Sequence, residues 1–291
     1  MACAPRAAKG RVAWHLTGPV KPLTLPDMFP IRDHNPSHRL ALVTWTLIVV
    51  NVAIHLFVSV EIDTERELMN HYFSWAMIPS RIASGEAFHT VLSSMFLHGD
   101  IWHLAGNMLF LWIFGDNMED TLGHLGFLGF YLTCGAVAAL AQWVAEPMSP
   151  IPVIGASGAI AGVMGGYLLL FPKARIDIFI FLIVFVRILP IPAWLMLGLW
   201  FLFQIVAGVG ADPVTGGVAY WAHAGGFVIG LLLITPVWLW KGGTAFWART
   251  HGVPPHPDQD WGRLAASGIP RVTRSRTGPP EDPRRRTPWG G

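Results

Sequence analysis

Gly155-Ala156-Ser157-Gly158, followed by Ala159-Ile160-Ala161-Gly162-Val163-Met164-Gly165-Gly166, is the stretch on which the reading of the whole chain turns. A serine between glycines stands at the mouth of an apolar segment built largely of small residues. In lipid a lone hydroxyl is tolerated but rarely needed, so Ser157 reads as a nucleophile working inside a bilayer. The composition agrees with that setting. Of 291 residues, 53% are hydrophobic and 13% charged, and mean hydropathy is positive. A soluble domain carries about 25% charged residues, so this is a polytopic membrane protein. Cys3 and Cys134 are the only cysteines. One lies in a polar leader and the other in an apolar run, which supports neither a disulfide framework nor a CxxC metal site.

Working outward from Ser157, the chain divides into an expected leader (1–38), a six-span domain (39–241) and a tail (242–291). The leader is rich in Pro, Arg and His and has no uninterrupted apolar core of a cleaved signal peptide. Met28 is itself a plausible start, so the residues before it are expected to be dispensable; a disordered cytoplasmic leader is the plainer alternative. The first span is Leu40 to about Val60, and about 20 residues suffice to cross ~30 Å of hydrocarbon. A polar stretch, Glu61 to Asp100, contains amphipathic pieces. Ile101–Phe114 is a second, short run interrupted by His103 and Asn107. Leu125 to about Val144 is the third and Ser157–Phe171 the fourth. Pro190-Ile191-Pro192 splits the next apolar run into an interfacial or re-entrant piece (Ile176–Leu189) and a fifth span (Ala193–Gly208). Tyr220–Trp240 is the sixth. The fold class expected is an all-α six-helix membrane bundle with a short central helix carrying the serine.

Lysine and arginine set the orientation. Arg32 and Arg39, then Lys173 and Arg175, then Lys241 and Arg249 fall on one side. The loops around Glu146 and Asp212 carry none. Six spans with both termini in the cytoplasm satisfy the positive-inside rule, and the acidic loop Asp116–Gly123 carries little weight in it. The tail, ending in Arg284-Arg285-Arg286, is too polar to bury a core and reads as disordered. Its basic residues are placed to touch anionic headgroups. There is no 20–50-residue repeat and no inverted-repeat symmetry, which argues against a secondary transporter.

Polar residues then collect at one depth. His103 and Asn107 are spaced i,i+4 on one face of the second span. Ser157 opens the fourth span and His223 the sixth. These three spans run in the same direction, with each polar residue in its first turns near the extracytoplasmic end. Each has a plain alternative taken singly: a serine back-bonding to a carbonyl, a histidine facing the interface, an asparagine linking helices for about 1 kcal/mol. Together at one level they are functional by default. Gly158, Gly162 and Gly166 repeat at i,i+4 on the fourth span, as do Gly226 and Gly230 on the sixth, which lets helix backbones approach closely. If those faces meet, Ser157 and His223 lie side by side. His223 is then the general base for Ser157, with the Ser157 N–H, His103 and Asn107 as oxyanion donors. No Asp or Glu sits at this depth, so the expectation is a Ser–His dyad without cofactor or metal.

On these motifs the chain resembles the rhomboid family of intramembrane serine proteases, of the bacterial six-span type. Gly155-Ala156-Ser157-Gly158 matches the family's GxSG. His98…His103-Leu104-Ala105-Gly106-Asn107 matches its HxxxN segment, and Ala222-His223-Ala224-Gly225-Gly226…Gly230 its AHxxGxxxG helix. Gly115…Glu119…Gly123 resembles its GxxxExxxG. The resemblance spans about residues 28–240. It implies cleavage of membrane proteins in or near their transmembrane segments, and a lateral opening between the second and fifth spans. It also implies the Ser157–His223 dyad, an oxyanion site lined by His103 and Asn107, a structural Glu119 and a supporting His98. Gly155, Gly158 and Gly226 would support the site. The implied setting is a bacterial inner membrane, with the active site opening to the extracytoplasmic side. Partners implied are the lipid bilayer and transmembrane substrates, not nucleic acid.

The chain departs from the family in two places. Phe88-His89 stands where many members carry Trp-Arg. Ala161 stands where some carry an aromatic that packs on the histidine. Two alternatives from other classes are a non-proteolytic membrane-protein chaperone of related fold and a metal transporter using His98, His103 and His223. Both dyad residues are present, which disfavours the first, and no ordinary metal-ligand face disfavours the second. One depth argument remains. From Ser157 to Phe171 is about 15 residues, or ~22 Å of helix, against ~30 Å of hydrocarbon. A fourth span ending at the cytoplasmic surface therefore begins below the outer one, and Ser157 is expected to be recessed in a hydrated cavity.

Overall fold

The structure is a computed structural model that describes residues 27–33, 40–182, 185–212 and 217–254. All of these belong to one compact unit, Met1–Pro255; the second unit, His256–Gly291, lies outside the described residues, as do residues 1–26 with the expectation that they are dispensable.

Ten α-helices occur among the described residues. They are α1 (Leu42–Glu61), α2 (Glu65–Trp75), α3 (Pro79–Ala83), α4 (Thr90–Ser93), α5 (Ile101–Leu122), α6 (His124–Ala145), α7 (Ser157–Leu170), α8 (Ala193–Gly210), α9 (Tyr220–Trp240) and α10 (Thr244–Thr250). Four of them, α1, α6, α8 and α9, are long and apolar enough to cross a membrane by length and composition. At 14 residues α7 is shorter; α5 has 22 residues but carries Asp116, Glu119 and Asp120 in its last two turns. The centre of the bundle is α7, packed by α5, α6, α8 and α9. Eleven of its 14 residues are buried, which the run of Gly and Ala permits because neighbouring backbones can close on it. By contrast α1 buries only Thr44, Leu47 and Asn51 and leaves its other faces apolar and exposed, as suits a helix bathed in lipid.

Three sequence expectations are corrected. First, the helical bundle also carries one small sheet. The segment read as interfacial, Ile176–Leu189, forms most of a hairpin, β2 (Arg175–Leu182) with β3 (Phe185–Pro192), and β1 (Asp27–Asp33) pairs antiparallel with β2. Prolines stand only in the two edge strands β1 and β3, and the central β2 has none, because a central proline would remove a ladder hydrogen bond. Part of the expected disordered leader is therefore a strand. Second, α5 does not end at Phe114: the expected acidic loop is two further helical turns, closed by Gly123 at φ +72°. Third, the ordered unit does not end at residue 241. Phe246 of α10 is buried near Phe171, the Trp247 Nε1–H donates to the Leu169 carbonyl (2.9 Å), and the Lys173 N–H donates to the Gly252 carbonyl (2.9 Å).

Candidate active site

Ser157 is the first residue of α7, so its N–H lies in the turn whose donors no intrahelical carbonyl can reach. The chain arrives through a loop stitched to the segment after α2. Met77 and Val153 exchange two backbone hydrogen bonds (3.2 and 2.8 Å), the Ser80 N–H donates to the Ser149 carbonyl (3.1 Å), and the Gly155 N–H donates to the Ser94 carbonyl (2.9 Å). These bonds satisfy backbone groups of an irregular, half-buried loop whose other side lines a cavity. Gly155 then turns the chain at φ +122°.

His223 lies in the first turn of α9. Its approach to Ser157 depends on backbone contact between α7 and α9. A Cβ on Gly226 would lie 2.1 Å from the Gly158 carbonyl oxygen, and one on Gly230 would lie 2.0 Å from that of Gly162. The expected glycine faces thus meet, except that Gly166 turns instead toward Met118 and Phe130. With the helices this close, His223 Nε2 is 2.8 Å from Ser157 Oγ.

His103 and Asn107 line the same cavity, of ≈ 870 Å³, as Ser157 and His223. Asp100 caps α5 beneath them, accepting from the Trp102 and His103 N–H groups (2.8 and 2.9 Å). The Asn107 side-chain amide donates one hydrogen to the His103 carbonyl (3.0 Å); an amide nitrogen carries two, so one is left for a ligand. The His103 ring lies against Gly155, where a Cβ would meet Nε2 at 2.8 Å. His98 is buried outside this group, edge-on to His103 with ring centroids 5.1 Å apart. Gly158 faces Ala138 of α6 as well as α9. Glu119 is not at the site: sixteen residues along α5 from His103 amounts to ~24 Å. There its buried carboxylate accepts from the Val43 and Thr44 N–H groups (both 2.8 Å), the Thr44 hydroxyl (2.7 Å) and His124 (2.5 Å). A carboxylate from one helix caps the N-terminus of another, where the helix dipole favours it.

Several residues were missed in the sequence. Gln204 of α8 is buried, and its Oε1 is 2.9 Å from His223 Nδ1. An amide oxygen only accepts, so this contact is a hydrogen bond in the tautomer with the proton on Nδ1, the one that leaves Nε2 bare toward the Ser157 hydroxyl. Trp200, one turn earlier on α8, lies against the His223 ring with centroids 5.8 Å apart and planes at 35°. Gln142 of α6 is also buried and accepts from the Ala222 N–H (3.1 Å), holding the first turn of α9. The signal was available: a lone amide in an otherwise apolar span is as conspicuous as a lone serine. At Phe88-His89, where the resemblance implies Trp-Arg, His89 donates to the Ser74 carbonyl (3.0 Å) and packs edge-on to Trp75. Arg81 adds a bond to the Phe73 carbonyl and lies 3.9 Å over the Phe73 ring.

Comparison with known proteins bears on this geometry. The rhomboid domain family matches residues 85–240, more than half of the chain. The chain is 32% identical over 150 residues to Rhomboid protein 1, mitochondrial, of Saccharomyces cerevisiae, covering 49% of this chain and 40% of that one. It is 37% identical over 128 residues to Rhomboid protease GluP of Bacillus subtilis, covering 43% and 24%. To the human Presenilin-associated rhomboid-like protein, mitochondrial, it is 30% identical over 134 residues, covering 45% and 34%. The chain therefore spans less than half the length of each of these relatives. An integral membrane protein by its apolar helices, it belongs to the rhomboid family.

Proposed function

We propose that the chain is an intramembrane serine endopeptidase that hydrolyses peptide bonds in or near the transmembrane segments of other membrane proteins. The observation that carries this reading is the 2.8 Å contact between Ser157 Oγ and His223 Nε2 at the wall of a cavity also lined by His103 and Asn107. Ser157 Oγ attacks the scissile carbonyl carbon while His223 Nε2 takes its proton. The oxyanion that forms is met by the Ser157 N–H at the start of α7, with His103 and the free Asn107 amide hydrogen facing the same space. Collapse breaks the C–N bond, and His223 returns the proton to the departing amine. Water then enters, gives its proton to His223 and attacks the acyl carbon, and Ser157 leaves with that proton. No step calls for a cofactor.

The half-buried Ser157 on a cavity wall suits a recessed, hydrated serine. We place the chain in a bacterial inner membrane with both termini cytoplasmic and the cavity on the opposite side, following Lys173, Arg175, Lys241 and Arg249. The same topology counts α5 and α7 as the second and fourth of six spans. A substrate helix reaches the site between α5 and α8, since Phe110 of α5 and Trp200 of α8 both line the cavity. The non-proteolytic chaperone reading would leave the Ser–His contact without use. The transporter reading needs clustered donors, and among the described residues no group of three or more His, Cys, Asp or Glu is placed to hold a metal ion.

The test is labelling by a fluorophosphonate probe together with cleavage of a transmembrane peptide in proteoliposomes. Both are expected in the native chain, both lost in Ser157→Ala, and neither changed by chelators. Cleavage surviving in Ser157→Ala, or metal-dependent flux without labelling, would overturn the reading.

A further inference from the structure

We infer that Gln204 is the positioning residue of the dyad: its side-chain carbonyl holds the proton of His223 on Nδ1, so that Nε2 faces Ser157 as a base. The inference rests on the reading of Ser157 and His223 as the catalytic pair. A neutral imidazole has two tautomers, and only the one with a bare Nε2 can take the Ser157 proton. In water the choice is free. In a wall of apolar residues it is made by whatever meets the other nitrogen. Here that partner is Gln204 Oε1, at 2.9 Å from Nδ1, on a side chain that is itself 4% exposed.

The rest of the surroundings leave the task to α8. On α7 the residue one turn after Ser157 is Ala161, too small to hold a ring. Trp200 and Gln204 are four residues apart and so share one face of α8; Trp200 covers the face of the imidazole and Gln204 binds its edge. Phe201 stacks on Phe227 of α9 with centroids 4.7 Å apart, which fixes α8 against the helix that carries His223. Gln204 does for this histidine what a carboxylate does in a triad, but it brings no charge into an apolar helix.

The experiment measures the rate of Ser157 labelling and the kcat and KM for a fluorogenic transmembrane peptide, across pH, for the full chain in proteoliposomes. Gln204→Leu is expected to lower kcat and the labelling rate on the order of 10²-fold with KM unchanged, because the ring then samples the wrong tautomer. Gln204→Glu restores an acceptor, and its negative charge favours the imidazolium, so the acid limb of the rate profile moves to higher pH. A residue that merely pinned α8 to α9 would leave that limb in place. Native labelling rates in Gln204→Leu would overturn the inference. If that variant does not fold, an unmoved acid limb in Gln204→Glu overturns it instead. Failure of the dyad reading looks different: the native chain would go unlabelled, or Ser157→Ala would still cleave.

Discussion

At Gly155 a backbone φ of +122° coincides with a gap of only 2.8 Å between His103 Nε2 and the place a Cβ would occupy. Any side chain there meets both the strain of an unusual φ, about 1–3 kcal/mol, and a ring that lines the cavity. Gly155→Ala is therefore expected to displace His103 and lower kcat on the order of 10²-fold, with a smaller loss of thermal stability in detergent. A variant with native kcat would show that the His103 ring has no part in turnover. Asn107 offers a cleaner separation, because its amide spends one hydrogen on its own helix and faces the cavity with the other. Asn107→Ala should reduce kcat by about 10²-fold, the effect of removing one oxyanion donor, and leave KM nearly unchanged. A rise in KM at constant kcat would instead assign Asn107 to substrate binding.

Between helices, the α7–α9 contact is made by backbone, and this decides which glycines matter. A Cβ on Gly230 would come within 2.0 Å of the Gly162 carbonyl oxygen, whereas one on Gly198 of α8 would meet nothing within 4 Å. Gly230→Ala should therefore cost about 1–3 kcal/mol by overpacking and reduce activity by spreading Ser157 from His223. Gly198→Ala should change stability by less than about 1 kcal/mol. Equal effects in a detergent unfolding assay would show that the α7–α9 faces are not the tight interface. At the far end of α5, Glu119→Ala strips the acceptor from the Val43 and Thr44 N–H groups. The expected loss is about 3 kcal/mol, with native kcat in the fraction that remains folded, since the site is ~24 Å away. Glu119 came only with the family resemblance, whereas the approach of Ser157 and His223 was legible in the two glycine faces, which do meet. The hairpin was not. Its residues form a long apolar run, and a strand and a buried helix cannot be told apart by hydrophobicity alone. The signal lay in Ile176, Ile178, Phe179, Ile180 and Phe181, β-branched and aromatic residues that favour a sheet. Gln204 is no carboxylate, the usual partner of such a histidine, yet a neutral amide oxygen can accept from Nδ1 without bringing a charge into the helix.

For the molecule as a whole, α7 is a short helix held at both ends by other parts of the chain. Its entry is sewn to the segment after α2 through Met77, Ser80 and Ser94, and its exit is clamped by α10 and Gly252. A helix of 14 residues spans only ~21 Å, so without such anchors its depth, and that of Ser157, would rest on hydrophobic fit and on the packing of neighbouring helices. The two anchors differ in how they can be tested. The entry loop lines the cavity, and changing it also changes the site. The exit clamp lies at the other end of α7, so it reports on the suspension of the helix by itself. Truncation after Gly243 removes the buried Phe246, the Trp247 bond to the Leu169 carbonyl and the Trp238–Trp247 contact at 4.9 Å. Burial of one large side chain is worth about 1.5–3 kcal/mol and the bond about 1 kcal/mol, so a loss of roughly 3 kcal/mol is expected. Truncation after Pro255 removes only the second unit and should leave both stability and the rate of Ser157 labelling near native. Comparing the two truncations by thermal unfolding and fluorophosphonate labelling separates the clamp from the tail. If the shorter chain unfolds and labels like the longer one, α10 does not hold α7, and the position of Ser157 is fixed by the entry loop and by the helices packed on α7.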